Sequence, residues 1–173
     1  MSHILLVGFM GAGKSTVGRI LADILGMPFL DLDSRIEQNA GMSVREIFDA
    51  GGEERFRSLE HAALASLVGE QDSVVACGGG IVLRDENRAL LKDLGTVVYL
   101  VVSAGEAIAR VGDTHTRPLL SGAGGAVAAT ALLGARETLY ATVADITVDT
   151  GGKDPAHVAE QVLFALRMPD VLS

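Results

Sequence analysis

The chain has 173 residues, 49% hydrophobic and 21% charged, with a formal net charge of −8. That length suits one domain with a full core, and the acidic balance excludes a general nucleic-acid binder, which needs clustered cations against the phosphate backbone. A single cysteine, Cys77, excludes an internal disulfide and fits a cytoplasmic enzyme.

Residues 4–8 form an apolar run expected to be a buried strand. It lacks the basic leader of a signal peptide, and no apolar run in the chain approaches a membrane span. Val17, Ile20, Leu21, Ile24 and Leu25 recur at helical spacing over 14–25, with Gly26 as the stop. A short second strand is expected over 28–31 and a helix over 34–40. Ser43-x-x-Glu46 is a capping box opening another short helix. Phe56, Leu59, Ala63, Leu64 and Leu67 mark a longer helix over 53–68. Val74-Val75-Ala76 reads as a third strand, running into Gly78-Gly79-Gly80.

A helix over 85–93 precedes the clearest buried strand, TVVYLVV at 96–102. Next come a helix over 104–111, a Gly/Ser/Thr-rich loop over 112–126 and a helix over 127–143. Ile146-Thr147-Val148 is a fifth strand, and Asp154 caps a final helix with Pro155 at its first position. Five short apolar strands alternating with helices predict an α/β domain with a parallel sheet. No linker or internal repeat divides it.

Gly8-Phe9-Met10-Gly11-Ala12-Gly13-Lys14-Ser15 fits G-x-x-x-x-G-K-[ST], between a predicted strand and a predicted helix. Glycines let the backbone turn its N–H groups onto an anion, and the helix from Lys14 adds its positive dipole end. Gly11, Ala12, Gly13, Lys14, Ser15 and Thr16 are therefore expected to bind ATP, with Lys14 on the β- and γ-phosphates and Ser15 on Mg²⁺. No Asn-Lys-x-Asp stretch is present to read guanine.

In open α/β sheets, ligands gather at the carboxyl ends of the strands. The third strand ends without the acidic residue that usually orders the metal, which leaves Asp31 and Asp33 after the second strand. One could orient a metal-bound water while the other accepts a hydroxyl proton. The competing reading of Asp33 is an N-cap for the helix at 34–40. Gly78-Gly79-Gly80 allows close backbone approach to a ligand. Arg57, Arg117 and Arg136 carry guanidinium forks suited to carboxylates and phosphates. Cys77 reads as a small core residue, and His3, His61, His115 and His157 show no metal spacing.

Together, G-F-M-G-A-G-K-S-T, D-L-D at 31–33, G-E-E-R-F-R at 52–57 with Glu60, G-G-G at 78–80, R-P-L-L at 117–120 and R-E-T-L-Y at 136–140 resemble the shikimate kinases in order and spacing. The resemblance covers nearly the whole chain. It implies a single P-loop kinase domain over 1–173, three-layered α/β/α like the nucleoside monophosphate kinases, with five parallel strands in the order 2-3-1-4-5. An acceptor region over about 32–60 and a lid over about 112–126 are implied, in a cytoplasmic monomer with no nucleic-acid or membrane partner.

The implied reaction is ATP-dependent phosphorylation of the 3-hydroxyl of shikimate. Asp33 would hold and activate the attacking hydroxyl. Arg57 and Arg136 would grip the acceptor carboxylate, and Gly79 and Gly80 would present backbone to the ring hydroxyls. Arg117 would close onto the phosphates, Ser15 and Asp31 would hold Mg²⁺, and Arg110 and Pro155 would lie near adenine. The catalytic set so implied is Lys14, Asp33 and Arg117. A departure from the family is that 118–135 holds no charged residue. Rival readings are another small-molecule P-loop kinase, for gluconate or a nucleoside monophosphate, and a non-catalytic ATP-binding module.

Overall fold

A computed structural model describes residues 2–111 and 125–167. Its strands are β1 (His3–Val7), β2 (Phe29–Asp31), β3 (Val74–Ala76), β4 (Gly95–Val101) and β5 (Ile146–Asp149). They form one sheet in the order β2-β3-β1-β4-β5, every neighbouring pair parallel. The helices are α1 (Lys14–Leu25), α2 (Leu32–Ala40), α3 (Val44–Ala65), α4 (Asp85–Leu94), α5 (Ala104–Val111), α6 (Gly125–Val143) and α7 (Pro155–Arg167). A 3₁₀ turn spans Ile81–Leu83.

The apolar strands bury both faces, and alternation divides them between two cores. Ile4 and Leu6 of β1 and Val98 and Leu100 of β4 point into one core, shared with Val17 and Leu21 of α1 and Val158 and Val162 of α7. Leu5 and Val7, with Val97 and Tyr99, point into the other, shared with Ile36, Phe56, Leu64, Leu91 and Tyr140 from α2, α3, α4 and α6. The result is three layers with the sheet in the middle.

Predicted and observed elements agree closely. Gly26 ends α1, and the capping box at Ser43 is formed. The short and long helices expected on either side of Glu53 meet as α3, broken at Gly52, whose φ of 67° and ψ of −172° interrupt the helix. Such a conformation favours glycine. The long helix stops at Ala65 rather than 68, and α6 starts at Gly125, inside the expected 112–126 loop. The rest of that loop, including Arg117 and His115, lies outside the described residues.

Cys77 is 2% exposed, and burial pushes its thiol well above the usual range. Thiol reagent is expected to modify the native protein more than about a hundredfold slower than the unfolded chain. Native modification at the unfolded rate would contradict this placement. His3 is also structural: its ring bonds to Ser73 Oγ at 3.0 Å and to the Leu67 carbonyl at 3.2 Å.

Candidate active site

Because all five strands run one way, their C-terminal ends share one edge of the sheet. The connection leaving β1 runs to the β2 side, while those leaving β3 and β4 run the other way. Helices part at such a reversal and leave a crevice. A cavity of about 430 Å³ lies there, lined by the 10–16 loop, Asp31, Asp33, Ala76–Gly79 and Arg110.

The helix beginning at this crevice is left open at its start. Asp31, Ser43 and Asp154 cap α2, α3 and α7 through their side chains. Helix α1 starts after Gly13 with no side-chain cap and no acidic residue in its first turn. A helix start of this kind suits an anion, which the helix dipole favours. Lys14 Nζ donates to the carbonyls of Gly8 and Phe9 at 2.8 and 2.9 Å, which holds the ammonium against the same loop.

Asp31 serves two neighbours. Its Oδ1 accepts from the N–H groups of Asp33 and Ser34, at 3.1 and 3.3 Å, and its Oδ2 accepts from Ser15 Oγ at 2.6 Å. The capping reading of Asp33 is thereby corrected: α2 starts at Leu32, two residues earlier than expected, and Asp31 is its cap. The Asp33 side chain turns toward the glycine run instead. A Cβ on Gly78 would lie 2.9 Å from Asp33 Oδ1 and 2.8 Å from Glu60 Oε1.

The oxygens of Ser15 and Asp31 form a hard donor pair. Among the described residues no group of three or more His, Cys, Asp or Glu side chains assembles as a cage. A cation here would draw most of its ligands from phosphate and water, the coordination Mg²⁺ favours.

On the far side of the glycine run, Arg57 is 6% exposed and Glu60 is fully buried. Arg57 Nη1 donates to Glu60 Oε2 at 2.8 Å, while Nε and Nη2 donate to Glu53 Oε1 at 3.2 and 3.0 Å. Burial works against the guanidinium charge, but Glu60 and Glu53 together hold its pKa above the ordinary value. Burial also drives the Glu60 carboxyl upward, the Asp33 charge adds to this, and Arg57 and Arg136 only partly offset it. A Cβ on Gly80 would lie 2.2 Å from Arg57 Nη1, so a side chain there would displace the guanidinium from this pair.

Arg136 is 4% exposed, and its Nη1 donates to the Gly79 carbonyl at 3.3 Å. Tyr140, one turn further along α6, donates its hydroxyl to the same carbonyl. Gly80, Arg57 and Arg136 do not line the cavity; Arg57 lies against Gly80, and Arg136 bonds to the Gly79 carbonyl.

At the other end, Arg110 donates to the Gly11 carbonyl at 3.3 Å, to Thr150 Oγ1 at 3.0 Å and to the Thr150 carbonyl at 2.8 Å. It ties α5 to both the 10–16 loop and the turn before α7. Pro155 opens α7 beyond that turn and does not line the cavity.

Sequence reasoning left Glu53, Glu60 and Tyr140 without roles. The first two were within reach: Glu53, Arg57 and Glu60 stand at i, i+4 and i+7, one face of a helix. Tyr140 offered only its place four residues after Arg136.

The shikimate kinase family model matches residues 10–167. The chain belongs to the shikimate kinase family. A shikimate kinase of Geobacter sulfurreducens is 45% identical over 165 residues, covering 95% of this chain and 91% of the relative. A solved shikimate kinase from Acinetobacter baumannii, in complex with shikimate, superposes with a TM-score of 0.94 at 38% identity, covering 100% of this chain and 96% of that one. A gluconokinase from Sinorhizobium meliloti, at 19% identity and a TM-score of 0.58, shares the fold alone. As in that family, this chain is a P-loop kinase, a phosphotransferase. Among the described residues no helix is long and apolar enough to cross a membrane.

Proposed function

We propose that this chain transfers the γ-phosphoryl group of ATP to the 3-hydroxyl of shikimate, giving shikimate 3-phosphate. The observation that carries this is the adjacency of two surfaces across one crevice. One is an uncapped helix start with Lys14; the other is Asp33 with the glycine run, on whose Gly79 and Gly80 the buried guanidinium groups of Arg136 and Arg57 rest. A phosphate donor and a hydroxylated carboxylic acid are the chemistries these surfaces suit. The full-length likeness to a shikimate kinase solved with shikimate supports the same acceptor.

Phosphoryl transfer leaves the protein mainly positioning and charge stabilisation. In this reading the N–H groups of Gly11 to Thr16 hold the phosphate chain. Lys14 places positive charge where negative charge develops. Ser15 and Asp31 are the residues that would hold Mg²⁺, which supplies further charge neutralisation when bound. Asp33 accepts the proton of the attacking hydroxyl. Arg57 and Arg136 orient the acceptor through its carboxylate, with Gly79 and Gly80 contributing backbone. Arg110 and Pro155 border the adenine, and Arg117, outside the described residues, adds positive charge at the phosphates. The acceptor region spans about 32–60 of a single domain over 1–173, working as a cytoplasmic monomer.

The test is ADP release with Mg²⁺-ATP and shikimate, gluconate, AMP or CMP as acceptor. Turnover with shikimate alone is the expected result. Turnover with another acceptor instead would keep the kinase chemistry and overturn the reading of the arginine pair. Silence with all four, in protein that binds ATP, would favour the non-catalytic module.

A further inference from the structure

The carbonyl of Gly79 receives two donors from the same helix. Arg136 Nη1 reaches it at 3.3 Å, and the Tyr140 hydroxyl makes a much shorter contact. The tyrosine is fully buried, and its ring stacks on Tyr99 of β4 with centroids 5.1 Å apart and planes at 27°. A Cβ on Gly79 would lie 3.6 Å from Met10 N, 3.7 Å from the Gly8 carbonyl and 3.8 Å from the Tyr140 hydroxyl. The Gly79 peptide therefore sits at the joint between the phosphate loop, the acceptor wall and α6.

The Gly79 carbonyl is half-buried at the wall of the cavity, and left without a protein donor it carries part of a desolvation cost. An arginine that turns its Nη1 edge to an incoming carboxylate gives up its bond to Gly79, and a second donor already in place makes that exchange cheap. We propose that Tyr140 is a positioning residue: its hydroxyl holds the Gly79 carbonyl, so that Arg136 is free to turn to the carboxylate of the acceptor. This rests on the acceptor assignment of Arg136 given above. Burial pushes the Tyr140 hydroxyl up to about 12, so it remains a proton donor throughout the working pH range. The stack on Tyr99 fixes the ring, which leaves the hydroxyl little freedom to swing away.

The test is a double-mutant cycle of Tyr140→Phe and Arg136→Ala, reading KM for shikimate, KM for ATP, kcat and thermal melting. Tyr140→Phe keeps the ring and its stack, so the fold is preserved. It is expected to raise the shikimate KM about tenfold, with kcat and the ATP KM within about twofold of the parent. In the Arg136→Ala background the same change should add less than about twofold, because no arginine remains to be released. An unchanged shikimate KM in Tyr140→Phe, with Arg136→Ala raising it, would overturn the proposal and leave the acceptor assignment standing. An unchanged shikimate KM in Arg136→Ala would overturn that assignment, and the proposal with it. Equal KM effects of Tyr140→Phe in both backgrounds would mark the hydroxyl as structural only.

Discussion

Asp33→Asn is expected to lower kcat by about 10²- to 10⁴-fold, the range a positioned general base contributes, while affinity for Mg²⁺-ATP stays within about twofold. The amide matches the carboxylate in size but offers no site for the hydroxyl proton. Nucleotide binding should survive, because the bond between Asp33 and Asp31 uses the backbone N–H of residue 33, which the substitution keeps. The Ser15 to Asp31 contact is likewise untouched. Single-turnover kinetics with a separate ATP-binding titration check both halves. Turnover near the parent rate would remove Asp33 from the role of base. Loss of ATP affinity with acceptor binding intact would place it on the wrong substrate.

The same variant carries an internal control. The Asp33 charge is among the influences that raise the Glu60 carboxyl pKa. Removing that charge relieves a like-charge repulsion in a buried setting. Asp33→Asn should therefore melt no lower than the parent, so a collapse in kcat could not be blamed on unfolding.

Much of this site is written in local patterns. The 8–15 loop announces an anion cradle because glycines, lysine and hydroxyl fall between a strand and a helix, and the structure leaves that helix uncapped. The five strands are legible as apolar runs because both sheet faces are buried; β4 divides Val97 and Tyr99 from Val98 and Leu100 between the two cores. The division of labour between Asp31 and Asp33 was not legible. Either could cap α2, and only the start of the helix at Leu32 decides it. Contacts across long sequence separations were also hidden. Tyr140 and Gly79 are 61 positions apart, and nothing in the local pattern of either pairs them. Arg57 could be read as an anion-binding side chain, but its burial between two carboxylates depends on the glycine run packing against α3.

Glu60→Ala is expected to destabilise the fold by about 3 to 5 kcal/mol, the usual consequence of removing one partner of a buried ion pair. For a chain of this size that corresponds to a fall in Tm of roughly 6 to 20 °C. Arg57 would keep Glu53, but Glu53 is half exposed and engages the opposite edge of the guanidinium, so Nη1 would lose its partner. Glu60→Gln separates charge from shape. It retains an oxygen for Arg57 Nη1 and removes the titrating group. In the parent, burial raises the Glu60 carboxyl above its unfolded value, against the pull of Arg57 and Arg136 and with the push of Asp33. The folded state thus holds a proton that the unfolded state has already lost. This contribution to stability is fully present below the unfolded carboxylate pKa and is lost as pH rises through the raised folded value. Glu60→Gln should lack that segment of the stability profile, so its Tm relative to the parent should rise as pH increases above the ordinary carboxylate range. A parent profile parallel to that of Glu60→Gln over this range would show that Arg57 fully offsets burial. A Glu60→Ala melting curve coincident with the parent would show that Glu53 alone suffices to hold Arg57.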